Sequence, residues 1–513
     1  MDSTTPYQPQ PDRSARNSPP RTARNVTWNY IGYAYQIAIN LGLTWYIVRK
    51  VTVVEYGLFL FVVSLSSSLY LLDIGISSVL IQTFVETAAH AGPERLNRLL
   101  STAFLALTAL GTLGVLILWS FAAFLPGPLN IPRAYLHEAF LIFVIAALIV
   151  LVGFSTNAIE LVYQASHRFD RTNQVQLGAG TLQIALSVYV LAAGHGIVAL
   201  AFVQLVASSL RLLALITVLP ASLPGTRLSL TKFDPDLLKP LVRLGKWAFL
   251  NNLSSGLFEM MIWIVLGSFS SMEQAAIFGL ASKLPRQLWN VIDKGGSVSF
   301  PILSASSVSG DRRALQRVYL KTQRLLSGTV LPFVALGCFA ASPIIRVWAG
   351  SQYLRAATIL QILLLGVATH VTGYCSNQLL YATGEVKKAA TIAIWEYGIS
   401  LVLAFALVPR YGAAGLAAGM AAGQVFINCS WLTWAACKIS DTSGEALLRA
   451  VFGGLALPVA ILSSAMVIIG GASRFLAPPW KVLAVIVSGC IYLAVWGRRN
   501  VIAAHRAESE TTA

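Results

Sequence analysis

Charge is scarce in this chain: only 11% of its 513 residues are charged, with 21 acids against 37 bases. Soluble domains carry roughly a quarter, so this composition excludes an ordinary soluble globular protein. Five cysteines, Cys338, Cys375, Cys429, Cys437 and Cys490, occur with no ligand spacing such as CxxC. That excludes a zinc module and a disulfide framework and leaves buried thiols as the reading. No GxxxxGK[ST] loop, HExxH helix or GxSxG elbow is present, and no polar segment is long enough to house one. The chain is therefore expected not to be an enzyme, not to hydrolyse ATP, and to hold no metal or organic cofactor; Na+ or H+ remain as coupling ions. Residues 1–24 lack an apolar core, so they read as a disordered cytoplasmic tail and not a signal peptide.

What is abundant is apolar sequence, 56% of residues. At about 20 residues per bilayer crossing, this predicts an all-α polytopic membrane protein of about fourteen helices. The predicted spans are 26–48, 56–85, 99–125, 136–163, 173–193, 196–219, 240–268, 274–304, 322–342, 356–381, 387–408, 412–437, 447–471 and 480–497. Cations crowd one set of ends, among them Arg21, Arg24, Arg95, Arg98, Arg227, Lys232, Arg312, Arg313, Lys387, Lys388, Arg498 and Arg499. The opposite ends have few, including Arg49, Arg133, Arg346 and Arg410. Positive loops mark the cytoplasm, so both termini are expected there. The net charge of +16 suits an anionic leaflet and requires no nucleic acid.

Short segments recur at an offset of about 216 to 220 residues: LDIGISS at 72–78 with IDKGGSV at 292–298, and HGIVALA at 195–201 with YGAAGLA at 411–417. Such a duplication predicts two six-helix lobes of equal orientation about a central cavity. The lobes would span 25–220 and 240–440, joined by a cytoplasmic linker at 221–239 and followed by two helices in 441–500 and a cytoplasmic tail at 501–513.

Polar stripes mark the walls of that cavity. The first predicted helix carries Tyr33, Gln36, Asn40 and Thr44; the seventh carries Asn252, Ser255, Glu259 and Trp263. The fourth carries Asn157, Glu160 and Gln164, and the tenth Tyr374, Asn377 and Tyr381 with His370 a turn away. The eighth is the most charged, with Lys283, Arg286, Asn290, Asp293, Lys294 and Ser297 near one face and Pro285 expected to kink it. A cation at the bilayer centre costs about 2.5 to 3.5 kcal/mol, so Lys283 and Arg286 need a purpose. With Lys294, and with Arg211 from the sixth helix, they form a candidate anion site, Arg being suited to gripping two phosphate oxygens. Competing readings are that Lys294 and Arg211 snorkel to the interface, that Arg286 pairs with Glu259, and that Asp73 caps a helix. Glu160, Glu396 and His370 are proton-relay candidates, and Asp293 and Asp73 are further candidates for ion coupling or pairing.

The stretches VEYGLFLFVVSLSSSLYLLDIGISSVLIQ, IIRVWAGSQYLRAATILQILLLG, QLLYATGEVKKA and VPRYGAAGLAAGMAAGQ resemble the polysaccharide transporter and oligosaccharide-lipid flippase branch of the MATE-like superfamily, over about residues 26–440. The resemblance implies two six-helix lobes working by alternating access in the bacterial inner membrane. It also implies transfer of a polyprenyl-diphosphate-linked oligosaccharide from the inner to the outer leaflet, with a monomer sufficient. The implied partners are the lipid-linked glycan, membrane lipids, and a polysaccharide polymerase or glycosyltransferases. Alternatives are an ion-coupled multidrug antiporter of the same fold and a non-transporting scaffold of a polysaccharide assembly complex.

Overall fold

The computed structural model describes residues 37, 39–73, 76–90, 92–124, 129–166, 168–229, 231–297 and 299–453, with single positions from 480 to 496. Tyr33, Gln36, Cys490 and both tails lie outside the described residues, as does the side chain of Asn252.

The described chain is all helix, with no strand. Helix α1 covers 39–50, and α2 runs from Val53–Ser68, opened by a capping box in which Thr52 Oγ1 accepts from Glu55 N–H while Glu55 accepts from Thr52 N–H at 2.7 Å. The predicted second span is broken after α2 by a tight turn, Leu69–Asp73, and α3 (Ile76–His90) restarts the helix. Asp73 explains the break, because its Oδ1 accepts from Ser77 N–H at 3.2 Å and Ser77 Oγ–H at 2.9 Å. Asp73 is thus a helix cap.

Four helices follow: α4 (Gly92–Phe124), α5 (Leu136–Ala165), α6 (Phe169–Ala192) and α7 (Ile197–Ser222). Beyond the linker come α8 (Leu238–Phe269), α9 (Met272–Ser297), α10 (Phe300–Val308), α11 (Arg312–Trp348) and α12 (Arg355–Ala382). Pro285 sits inside α9, and the predicted eighth span divides between α9 and α10.

Helix α13 (Val386–Ile427) consists of two arms, because Gly412 has φ 55. Only glycine adopts that backbone readily, and Gln274 Oε1 secures the corner by accepting from Ala413 N–H at 3.1 Å. The arms press together through small residues: a Cβ on Gly419 would stand 2.7 Å from Ala404 N, and one on Gly423 2.0 Å from Ser400 Oγ. The turn expected between the eleventh and twelfth spans is therefore present. A π-helical turn over Asn428–Leu432 leads into α14 (Thr433–Ser440) and α15 (Gly444–Phe452).

Eight stretches among the described residues are long and apolar enough to cross a bilayer. Helix α9 is not one of them, since its charged residues interrupt the apolar run. Helices α3 to α7 pack chiefly on one another, as do α8, α9, α11, α12 and α13, while α2 packs on α5 and also on α8 and α9. The seam between the two groups is tight where α2 meets α9: a Cβ on Gly57 would lie 1.8 Å from Met272 O.

The thiols are less uniform than expected. Cys375 is buried, Cys338 and Cys437 are half-buried, and Cys429 is exposed at the π turn. All four are unbridged.

Candidate functional site

A cavity of about 390 Å³ lies between α2, α8 and α9, lined by Ser64, Ser67, Tyr70, Ser255, Glu259 and Arg286 among others. Arg286 Nη2 donates to both Glu259 oxygens at 3.2 Å. The pairing considered from the sequence is therefore present. The Arg286 side chain is nevertheless 60% exposed and that of Glu259 40%, so the pair faces open space and not packed protein. Exposed pairs of this kind contribute only about 0 to 1 kcal/mol, a bond weak enough to exchange for another anion.

Lys283 is placed differently. It is half-buried, and its Nζ donates to Thr44 Oγ1 at 2.9 Å, while Thr44 Oγ1 donates to Asn40 O at 2.8 Å. This short relay ties α9 to α1 across the seam. A neutral hydroxyl satisfies one donor of the ammonium but does not compensate its charge.

The polar arc of α9 is broad enough to meet three neighbours. Lys283 faces α1, Arg286 faces α8, and Asp293 faces α12, where Tyr374 Oη–H donates to the Asp293 carbonyl at 3.0 Å and His370 Nε2 stands 4.0 Å from Asp293 Oδ1. The charged residues of α9 thus reach different neighbours, because successive side chains of a helix that touches several partners diverge in direction. The Trp289 ring lies flat on that of His370, centroids 4.0 Å apart and planes 1° from parallel. Lys294 is exposed and Asn290 half-buried on the same helix. Asn377 is half-buried on α12.

In the first half, Arg211 of α7 forms an ion pair with Glu160 of α5. Arg211 therefore does not stand beside Lys283 and Arg286; it borders a separate cleft against α1 and α6. Next to Glu160, Asn157 Nδ2 donates to Ser77 Oγ at 2.8 Å, extending the Asp73 cap into a chain from α3 to α5. Glu396 is half-buried on α13, next to Tyr397, whose ring stacks on Phe258 at 4.9 Å.

The seam is latched at one end by Arg49, Asn130 and Trp348, which lie outside the predicted spans. Arg49 Nη1 donates to Trp348 O at 2.9 Å and its Nη2 to Val347 O at 3.1 Å, and Trp348 Nε1–H donates to Leu41 O at 2.9 Å. Asn130 Nδ2 donates to Ser268 O at 3.0 Å and Ser270 O at 2.8 Å. The Arg49 and Asn130 donors satisfy carbonyls at the C-terminal ends of α11 and α8, which have no intrahelical partner. At the other end the linker is pinned to α4: Asn97 accepts from Arg227 N–H at 2.8 Å and donates to Gly225 O at 3.0 Å, and Asp234 N–H donates to Thr102 Oγ1 at 2.9 Å.

Serines are concentrated on α2 beside the cavity: Ser64, Ser67 and Ser68 line it, and Ser66 is buried next to them. Ser66, Ser67 and Ser68 each return a hydroxyl proton to the carbonyl four residues back, at 2.7, 2.8 and 3.0 Å. A serine run inside an apolar helix was the available signal.

A family model described as polysaccharide biosynthesis protein matches residues 47–358. The chain belongs to that family. It is similar to the membrane protein EpsK of Bacillus subtilis (strain 168), 22% identical over 450 residues that cover 85% of this chain and 87% of EpsK. Its fold resembles the lipid II flippase MurJ in an inward closed conformation, with a TM-score of 0.69, 15% identity, and coverage of 92% of this chain and 99% of that one. It also resembles an inward-facing multidrug resistance MATE family transporter of the MOP superfamily, with a TM-score of 0.66, 15% identity, and coverage of 79% and 94%. The architecture is thus the MATE- and MurJ-like helical membrane fold. Within that fold, α2, α8 and α9 bound the cavity that holds the Arg286–Glu259 pair.

Proposed function

We propose that this protein moves a polyprenyl-diphosphate-linked oligosaccharide from the inner to the outer leaflet of a bacterial cytoplasmic membrane by alternating access. The observation that carries the reading is the placement of two cations at the seam. Among the described residues Lys283 donates to the Thr44 hydroxyl, and Arg286 is exposed to the cavity and partnered by a weak ion pair. A diphosphate would displace Glu259 from Arg286 and supply Lys283 with a counter-charge, turning two membrane-embedded costs into charge-assisted hydrogen bonds.

On this reading the latched end of the seam, at Arg49 and Asn130, is the outer end, and the cavity is loaded from the cytoplasm. The latch opens when the substrate is carried across. Both termini are cytoplasmic, a monomer suffices, and energy comes from an ion gradient, the membrane potential or consumption of the product outside. A polymerase or glycosyltransferase of the same pathway is the natural partner.

The test is replacement of Lys283 and Arg286 by Gln in cells that depend on the gene. Expected are normal membrane insertion, loss of surface polysaccharide and accumulation of the lipid-linked intermediate. Retained surface polysaccharide overturns the reading. An antiporter of organic cations would need an unneutralised carboxylate, and Arg286 already partners Glu259. Dye efflux that depends on Glu259, with surface polysaccharide unaffected, would nevertheless establish that alternative.

A further inference from the structure

The cleft that Arg211 borders is a second cavity, of about 360 Å³, between α1, α6 and α7. Its walls include Asn40, Gln176, Gln183, Ser208 and Arg211. Gln176 and Gln183 are seven residues apart on α6, two turns on one face and about 10 Å along the axis at 1.5 Å per residue. Gly180 lies between them on that face, and a Cβ built there meets nothing within 4 Å. The two amides therefore flank an empty floor. Both amides and Gly180 are half-buried, so this face of α6 is turned toward the protein.

Electrostatics define what such a place accepts. Arg211 is already matched by Glu160, so the cleft offers no net charge to an anion. What remains are neutral donors and acceptors in pairs: carboxamides able both to give and to take hydrogen bonds, a hydroxyl, and a buried Arg211 Nε–H that has no acceptor among the described residues. Polyhydroxyl compounds present the same alternation of donor and acceptor, and a wall that is also apolar, with Ile39, Leu43 and Ile184, suits the C–H faces of a sugar ring. The cleft is also close to the central cavity. Tyr70 lines that cavity, lies within electrostatic reach of Arg211 and Glu160, and stacks on Phe154 at 5.1 Å.

We infer that the α1–α6–α7 cleft is a binding site for an uncharged sugar residue, separate from the Lys283–Arg286 site. The inference rests on the flippase reading for its biological ligand, since a diphosphate held at the seam would have its glycan within reach of this cleft. The site would then contribute sugar selectivity, while the cations recognise the diphosphate shared by all such lipids.

The experiment is ligand-observed saturation-transfer NMR on the purified full-length chain in detergent. The probes are D-glucose, N-acetyl-D-glucosamine and D-glucuronate, with inorganic pyrophosphate binding measured in parallel by calorimetry. A neutral sugar is expected to receive saturation, and Gln176→Leu should weaken its binding at least tenfold. Gly180→Leu fills the floor without removing any polar group and should do the same. Either variant should leave pyrophosphate binding unchanged, whereas Lys283→Gln with Arg286→Gln should abolish pyrophosphate binding and spare the sugar. The inference is overturned if neither neutral sugar receives saturation, if both variants bind sugar like the parent, if glucuronate binds in preference to glucose, or if a short-chain phospholipid displaces the sugar. Loss of the pyrophosphate result alone would instead count against the diphosphate reading.

Discussion

Lys283 of α9 and Thr44 of α1, 239 residues apart in sequence, meet at 2.9 Å and tie the two halves of the protein together. Thr44 is only 2% exposed. Its hydroxyl is thus a structural acceptor for a charge that has no ion-pair partner among the described residues.

Thr44→Val keeps the shape of the side chain and removes that acceptor. It should destabilise the protein by about 1 to 3 kcal/mol, the cost of leaving a buried polar group unsatisfied. Adding Lys283→Met should recover most of the loss while abolishing transport. Thermal unfolding of the two single variants and the double variant in detergent tests this, and additive losses would disprove the coupling.

For Arg286 and Glu259 the expected balance is reversed. A double-mutant cycle on unfolding should give a coupling below about 1 kcal/mol, because the pair is exposed. Exchanging the charges, Glu259→Arg with Arg286→Glu, should preserve folding and yet eliminate transport, since the cation would then project from α8 and not from α9. Normal export by the exchanged protein would show that only the pair, and not its polarity, matters.

The latch at the other end of the seam makes a conformational prediction. Arg49→Ala combined with Asn130→Ala removes the donors to Val347, Trp348, Ser268 and Ser270. A cysteine substituted for the buried Leu60 of α2 should then react several-fold faster with a membrane-impermeant maleimide added outside the cell. Unchanged labelling would mean that these bonds do not hold the seam shut.

Two glycines of α13 should respond in opposite ways. Gly419→Val places new atoms against the Ala404 backbone and should cost about 1 to 3 kcal/mol through overpacking. Gly398→Ala meets nothing within 4 Å and should stabilise the helix by about 0.5 to 1 kcal/mol. Melting temperatures of the purified variants decide the point.

Helix positions were legible in the sequence because apolar length and interfacial charge determine them directly. The turn after Val408 was readable from the Pro409 to Gly412 stretch. Less visible was the break at Leu69–Asp73, since an Asp four residues ahead of a Ser signals a cap only once the helix restarts there. The Arg286–Glu259 pair could be suggested from two helices presumed adjacent. Arg211–Glu160 and Lys283–Thr44 could not, because each depends on how α7 rotates toward α5 and α9 toward α1, and rotation about a helix axis is decided by packing on several neighbours at once. Arg49 and Asn130 looked like loop residues because the carbonyls they satisfy belong to helix ends elsewhere in the chain.

The segment joining the halves is fastened to α4 by Asn97, Ser101 and Thr102 as far as Asp234. It therefore travels with the first half as part of its surface and supplies no slack. Whatever swing the halves make must be absorbed in the few residues between Asp234 and the start of α8, a short pivot instead of a flexible tether. Chimaeras that exchange second halves between relatives should accordingly be joined at Pro235–Leu237; a junction placed upstream would tear a foreign strap from the bundle that holds it.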